Sequence, residues 1–318
     1  MKWKKLGKIF DPTQHKLAND CVRFAQSPQA LVFDEFLRIY FSTRSVDKSN
    51  GKFLSHIAFV DMGKNIRDII RVSDKTVIPL GELGCFDEHG IFPMNVMRHG
   101  GVVYGYTCGW SRRVSVSVDT AIGLAISHDD GLTFHRVGNG PVLAASPHEP
   151  CLIGDGFVKF IDGVFHMWYI FGTGWKRFSR DAAPDRTYKI GHAVSADGID
   201  WVKDEARQII ADYLGPDESQ ALPTVIGIDG RYHMFFCYRQ SYDFRRNSDR
   251  SYRIGHAWSD DLVDWTREDQ NPFDVTPGDW DSDMLCYPHV FECDGKVYLL
   301  YNGNAFGCYG FGLAELEP

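Results

Sequence analysis

A proline recurs along the chain at Pro28, Pro93, Pro223 and Pro288, at intervals of 65, 130 and 65 residues, which leaves one copy missing near residue 157. Six residues after each proline comes a tight-turn position, at Asp34-Glu35, His99-Gly100, Asp229-Gly230 and Asp294-Gly295. Asp162-Gly163 supplies the turn of the copy whose proline is replaced by Gly156. Seven residues beyond each turn position stands an aromatic residue: Phe41, Tyr106, Tyr169, Phe236 and Tyr301. A period of this length, repeated with its turn and its aromatic in register, restricts the chain to architectures in which similar supersecondary units pack on one another.

The residues around the turns are β-branched and aromatic. Val290-Phe291-Glu292-Cys293-Asp294-Gly295-Lys296-Val297-Tyr298-Leu299-Leu300-Tyr301 is a hairpin pattern, the first two strands of a unit. A second motif follows as Ile122-Gly123-Leu124-Ala125-Ile126-Ser127, Ile190-Gly191-His192-Ala193-Val194-Ser195 and Ile254-Gly255-His256-Ala257-Trp258-Ser259. Each turns through Asp130-Gly131, Asp197-Gly198 or Asp260-Asp261 toward Phe134, Trp201 or Trp265, which gives strands three and four. The first unit carries a blurred version around His56-Ile57-Ala58-Phe59, followed by the least regular stretch, 60–85. Four strands per unit and five units predict an all-β, five-bladed β-propeller with antiparallel blades at about 15–80, 81–143, 144–210, 211–275 and 276–318 plus 1–12, all in one domain. The last unit ends on Phe311-Gly312-Leu313-Ala314, a third strand with nothing after it, whereas Trp3 to Phe10 resembles a fourth strand without a unit. The N-terminal strand is therefore expected to complete the last blade and cover its open edge. Two stacked β-sandwich domains are the alternative architecture, and they rarely repeat this regularly.

No run of 18 apolar residues exists, and Met1-Lys2-Trp3-Lys4-Lys5-Leu6 carries no apolar stretch behind its charges, so a soluble, cytoplasmic protein without a membrane span is expected. The net charge of −8 argues against nucleic-acid partners. Eight scattered cysteines show no zinc spacing and are read as buried free thiols; neither a metal nor a cofactor is called for.

In a propeller the segments before the innermost strands converge on one funnel. Five residues before the proline stand Glu88, Glu218 and Asp283, with Asp87, Asp217 and Asp281 beside them. The third unit offers Glu149, and Asp155 stands beside the place of the missing proline. Carboxylates gathered at low dielectric push one another's pKa values apart, which is what general acid and base roles need. Each such acid taken singly is equally readable as a strand-end cap. The first unit has Arg23 and Gln26 instead, with Asp20 earlier. The loops between strands two and three are long and basic in three units, at Trp110-Ser111-Arg112-Arg113, Trp175 to Arg180 and Arg239 to Arg250, and the corresponding places of the first and fifth units hold Arg44 and Asn302 to Asn304. Such a rim suits a sugar carrying a carboxylate or phosphate, with rings stacking on indole and the anion held by guanidinium. His289, directly after Pro288, is a further candidate ligand for the funnel.

With Asp87-Glu88-His89-Gly90-Ile91-Phe92-Pro93, the Ile-Gly-x-Ala-x-Ser segments, Trp280-Asp281-Ser282-Asp283-Met284 and Tyr301-Asn302-Gly303-Asn304, the chain resembles the five-bladed propeller glycoside hydrolases over essentially its whole length. That superfamily includes arabinanases and β-xylosidases (family 43), invertases and levansucrases (families 32 and 68) and mannoside phosphorylases (family 130). Within it, the chain resembles the propeller proteins encoded among bacterial surface-polysaccharide biosynthesis genes. The resemblance implies an aspartate on the first blade as base or nucleophile, an aspartate on the second as modulator and a glutamate on the third as acid. Glu88 or Asp87 matches the second and Glu149 the third, whereas only Asp20 stands near the first.

The reading is thus a glycoside hydrolase-like enzyme acting on a glycosidic or sugar-phosphate bond of an anionic bacterial glycan or its precursor. Its catalytic carboxylates are expected among Glu88, Glu149, Glu218, Asp283 and Asp87. Arg23, Gln26, Arg44, Trp110, Trp175, Arg239, His289 and Asn302 are the expected substrate contacts. A non-catalytic glycan-binding or scaffolding propeller, and a glycosyl-transfer or phosphorolysis variant, are the alternatives.

Overall fold

The structure, a computed structural model, describes residues 1–269 and 273–317. Its strands in chain order are β1 (Trp3–Phe10), β2 (Arg23–Val32), β3 (Phe36–Val46), β4 (Phe53–Gly63), β5 (Ile69–Val72), β6 (Gly90–His99), β7 (Val102–Arg112), β8 (Val118–Ser127), β9 (His135–Arg136) and β10 (Cys151–Ile161). They continue as β11 (Val164–Lys176), β12 (Asp185–Ser195), β13 (Val202–Lys203), β14 (Glu218–Ile228), β15 (Arg231–Gln240), β16 (Arg253–Ser259), β17 (Thr266–Arg267), β18 (Cys286–Cys293), β19 (Lys296–Asn302) and β20 (Phe311–Leu316). Helix is confined to single turns, and no helix among the described residues is long and apolar enough to cross a membrane.

The strands form antiparallel meanders. Strands β10–β13 and β14–β17 are four-stranded sheets, and β1 pairs with β20 to complete a third in the order β1-β20-β19-β18. The irregular stretch of the first unit supplies β5, which pairs with β4. The meanders β2–β5 and β6–β9 join into one larger sheet through a single parallel bridge between Ser55 and Gly90. The first strands of the meanders touch in a closed cycle, β2 with β6, β6 with β10, β10 with β14, β14 with β18, and β18 with β2.

The recurring proline has a structural role in each of these first strands. Pairing with the second strand slips between Gln26 and Gln29, Ile91 and Met94, Gly154 and Phe157, Ala221 and Thr224, and Cys286 and His289. Pro28, Pro93, Gly156, Pro223 and Pro288 each sit inside such a bulge, where no ladder N–H is required. A bulge also redirects the residues next to it, and Ser27, Asp155, Leu222 and Tyr287 accordingly adopt positive φ.

The five repeated aromatics of strand two are all buried, and tyrosines on two of these strands reach across to the next meander. Tyr106 Oη donates to the Gly198 carbonyl at 3.0 Å, and Tyr40, adjacent to Phe41, donates to the Gly131 carbonyl at 2.7 Å. Gly131 has φ +80, and a Cβ there would strike the Tyr40 hydroxyl, so both the turn and the close approach require glycine. Ser127 Oγ accepts from the Gly131 amide at 2.8 Å and Ser195 Oγ from the Gly198 amide at 2.9 Å, which explains the serine ending each third-strand motif. Apolar clusters fill the spaces between meanders; one joins Tyr40, Phe59, Ile91, Met94 and Phe134. The eight cysteines are unpaired, six of them buried.

Candidate active site

A cavity of about 370 Å³ opens among the bulged ends of the first strands and the loops that cover them. Its walls are rich in aromatic residues, with Phe24, Phe53, Phe92, Trp110, Tyr188, Phe244, Tyr252, Tyr287 and Phe306. Phe92, Asp155 and Tyr287 are the residues immediately before Pro93, Gly156 and Pro288, so the bulge itself aims them inward. Phe306 comes from the turn after β19, where it and Ala305 hold consecutive left-handed φ values of +56 and +55.

The charge in this cavity is mostly positive. Arg44, from β3, lies over the Phe24 ring at 4.5 Å and the Phe53 ring at 5.5 Å. Arg186, on β12, stacks over Trp175 at 5.5 Å. Arg245 comes from the loop after β15, and its guanidinium reaches Asp185 at 3.6 Å, while that of Arg186 is 3.9 Å from the same carboxylate. Burial, then the charge of Arg245, lowers the pKa of Arg44; burial, then the charge of Arg186, lowers that of Arg245. Arg44 Nε and Gln26 Oε1 are buried at the cavity without a protein hydrogen-bond partner. Like charges gathered in a partly desolvated space stabilise an anion placed among them.

Among the described residues one carboxylate lines the cavity, that of Asp155. Burial pushes its pKa up to about 7, against the Leu222 amide and the Arg186 charge, which pull it down. At neutral pH such a group is divided between its acid and its base and can serve as a proton donor.

The expected acids stand elsewhere. Asp87, on the segment entering β6, is paired with Arg136 on β9. Glu149 Oε2 accepts from Lys203 of β13 at 2.7 Å, and its Oε1 accepts from Tyr169 Oη at 2.8 Å. Glu218 Oε1 accepts from Arg267 of β17 at 2.6 Å. Asp281 Oδ2 accepts from Lys5 of β1 at 2.7 Å. Four times an acid ahead of the first strand holds a base on the outermost strand of the same sheet, so the recurrence that suggested a carboxylate ring is a repeated staple. Glu88 is half-buried and caps the Gly84 amide at 2.8 Å, and Asp283 is exposed, its amide donating to Asn304 Oδ1 at 2.7 Å.

Of the expected binding residues, Gln26, Arg44 and Trp110 line the cavity. Trp175 supports Arg186 from outside, and Arg239 is fully buried behind Phe244 and the Tyr188–Tyr252 pair. Arg23 is exposed opposite Arg44. Asn302 is structural, since it accepts from the Ser27 amide and donates to the Ala25 and Gly310 carbonyls, each at 2.8 Å. His289 is buried farther along β18, its ring 6.0 Å from that of Phe157, and burial lowers its pKa to about 3. Asp155 stood beside the missing proline in the sequence but outside the expected catalytic set, and Tyr188 and Arg186 were not singled out at all. Counting one residue back from the recurring proline, instead of five, reaches Asp155.

No family model matches the chain. The proteins MT1551 and Rv1502 of two Mycobacterium tuberculosis strains, both described as uncharacterized, are each 34% identical to it over 324 residues, covering 100% of both proteins. The chain belongs to their family. Among solved structures, a BT0996 complex with RGII superposes with a TM-score of 0.75 at 17% identity, over 99% of this chain and 91% of that protein. A thermostable family-43 glycoside hydrolase gives 0.64 at 15% identity, over 94% and 91%. The β-1,2-mannobiose phosphorylase of Listeria innocua gives 0.67 at 11% identity, over 99% and 96%. The fold is that of the propeller glycoside hydrolases and phosphorylases.

Proposed function

We propose that the chain is a five-bladed propeller enzyme that cleaves or forms a glycosidic or sugar-phosphate bond of an anionic glycan, with Asp155 as its general acid. The closed cycle of first strands supports the blade number, with β2–β5, β6–β9, β10–β13, β14–β17 and β18–β20 plus β1 as the blades. One observation carries the chemistry: a single protonatable carboxyl, Asp155, shares an aromatic cavity with Arg44, Arg186 and Arg245.

Hydrolysis by a carboxylate pair needs a second acid about 5 to 9.5 Å from the first. The cavity instead supplies a cluster of guanidinium groups, which suits an anionic nucleophile such as phosphate. In that reaction a phosphate oxygen bonds to the anomeric carbon as the glycosidic C–O bond breaks. The Asp155 proton passes to the leaving oxygen, and solvent restores it. A fold neighbour acting as a β-1,2-mannobiose phosphorylase supports this reading. The lone carboxylate also suits a second reading, a glycan-binding propeller without turnover.

Incubating the protein with reducing-end-labelled oligosaccharides that carry uronate or phosphate groups, beside neutral manno- and gluco-oligosaccharides, with and without inorganic phosphate, tests the proposal. The expected result is phosphate-dependent release of a sugar 1-phosphate that Asp155→Asn abolishes while anionic sugars still bind. Turnover undiminished in Asp155→Asn overturns the acid role, and sugar binding without turnover under every condition favours the binding module.

A further inference from the structure

Arg239 is a buried cation at 0% exposure whose guanidinium is met by the Gln240 carbonyl at 2.8 Å, by hydroxyls and by rings in place of a carboxylate. It lies 3.6 Å from the centre of the Phe244 ring, and its Nη2 donates to Tyr188 Oη at 2.9 Å. Tyr188 Oη and Tyr252 Oη are 2.7 Å apart. Phe244, Tyr188 and Tyr252 all line the cavity, so one layer of side chains separates this charge from any ligand there.

The hydrogens of this group can be counted. A guanidinium donates and never accepts, and each phenol carries one hydrogen. The bond between the two hydroxyls uses one of those hydrogens, in whichever direction it runs. One hydroxyl hydrogen is left over, and no further protein acceptor meets either oxygen among the described residues. Burial raises the Tyr252 pKa well above its ordinary value, which keeps the phenol a donor.

We propose that the Tyr188–Tyr252 pair, anchored by Arg239, presents this hydrogen to an anionic oxygen of the ligand and so selects charged sugars over neutral ones. The proposal rests on the reading of the cavity as an anionic-sugar site and adds the residues that set its selectivity. A donor backed by a buried cation strengthens along the chain of hydrogen bonds, and its bond to an anionic oxygen is stronger than one to a neutral hydroxyl.

Calorimetric titration with glucuronate, glucose 1-phosphate and glucose tests it. Tyr188→Phe and Tyr252→Phe each leave one hydroxyl with its hydrogen free, so each is expected to lose less than about tenfold in affinity for the two anions. The double variant retains no such hydrogen and is expected to lose roughly 10- to 100-fold, with glucose binding little changed. Arg239→Gln, which removes the charge and keeps an amide donor, is expected to lower anion affinity by roughly tenfold and provides the test if the double variant does not fold. An unchanged ratio of anion to glucose affinity in the double variant, or in Arg239→Gln, overturns the proposal. If the wild type binds an anion and Arg245→Gln abolishes that binding while the tyrosine variants do not alter selectivity, the anionic-sugar reading stands and the tyrosine relay alone falls. If the wild type binds neither anion, both fall.

Discussion

Glu218 Oε1 lies 2.6 Å from Arg267 Nη1, and neither side chain reaches the cavity. Glu218 is fully buried, and its other oxygen accepts from the Tyr213 and Leu214 amides at 2.8 and 2.7 Å. It thereby ties the segment before β14 to the outermost strand β17. Arg267 also holds Asp269 at 2.7 Å, so replacing Glu218 leaves the cation paired but removes one carboxylate oxygen from a fully buried set of donors, which costs about 1–3 kcal/mol. Glu218→Gln is therefore expected to lower the urea midpoint while leaving the proposed turnover of the folded protein intact. Asp283→Asn, on an exposed side chain, is expected to shift stability by no more than about 0.5 kcal/mol. A Glu218→Gln protein of wild-type stability that has lost turnover would return this residue to the catalytic set.

The staple of the last sheet crosses from one end of the chain to the other. Lys5 Nζ donates to Asp281, which is 1% exposed and also receives the Tyr301 hydroxyl at 3.2 Å. Deleting residues 1–10 removes the whole of β1, uncovers the pairing edge of β20 and leaves the Asp281 carboxylate without its cation. The truncated chain is expected to melt at lower temperature and to self-associate on size-exclusion chromatography, because an open strand edge templates further pairing. Lys5→Met alone is expected to reproduce the loss of stability but not the association.

The proline, turn and aromatic spacing carried the fold because each marks a structural requirement: a bulge, a tight turn and a buried aromatic on the second strand. All three are local in sequence, and the pairing of β1 with β20 followed from two strands each lacking a neighbour. The site was harder to read because acidity at a repeated position has two physical explanations. Glu149 and Glu218 recur because Lys203 and Arg267 stand opposite them on strands more than 45 residues away, a partnership no spacing rule reveals. Arg44, Gln26 and Trp110 were found because they flank the first strands directly. Arg186 was not found, because the stretch from Lys176 to the start of β12 holds several charges and only the fold decides which one turns inward.

The cations of the cavity are expected to act on charge and not on shape. Arg245→Gln and Arg186→Gln each remove a guanidinium from the group around Asp155, and each is expected to weaken glucuronate or phosphate binding by about 1.5–3 kcal/mol. Affinity of the wild type for these anions is expected to fall as ionic strength rises, since the Arg245 charge is partly open to solvent. Neutral sugars, which rely on the aromatic walls, are expected to keep their affinity in both variants. Calorimetry at two salt concentrations separates these outcomes, and parallel losses for charged and neutral sugars would mean that the arginines only shape the cavity.

Asp155 gives the pH dependence its sign. Its pKa in the folded protein is raised to about 7 from an ordinary 3.8, mainly by burial, so the folded state keeps a proton that the unfolded chain has already released. Stability is expected to be greatest at the acidic side of this interval, to fall as pH rises from about 4 toward 7, and to level off above it, a loss of a few kcal/mol at most. In Asp155→Asn this slope is expected to disappear, so urea melts of the two proteins at pH 5 and pH 8 isolate the contribution of this group. In the proposed reaction the same proton passes to the leaving oxygen. For the wild type, kcat/KM is expected to drop about tenfold per pH unit above about 7, on the same titration that lowers stability. A stability slope without the matching kinetic limb would leave Asp155 a strained buried acid and remove it from the reaction.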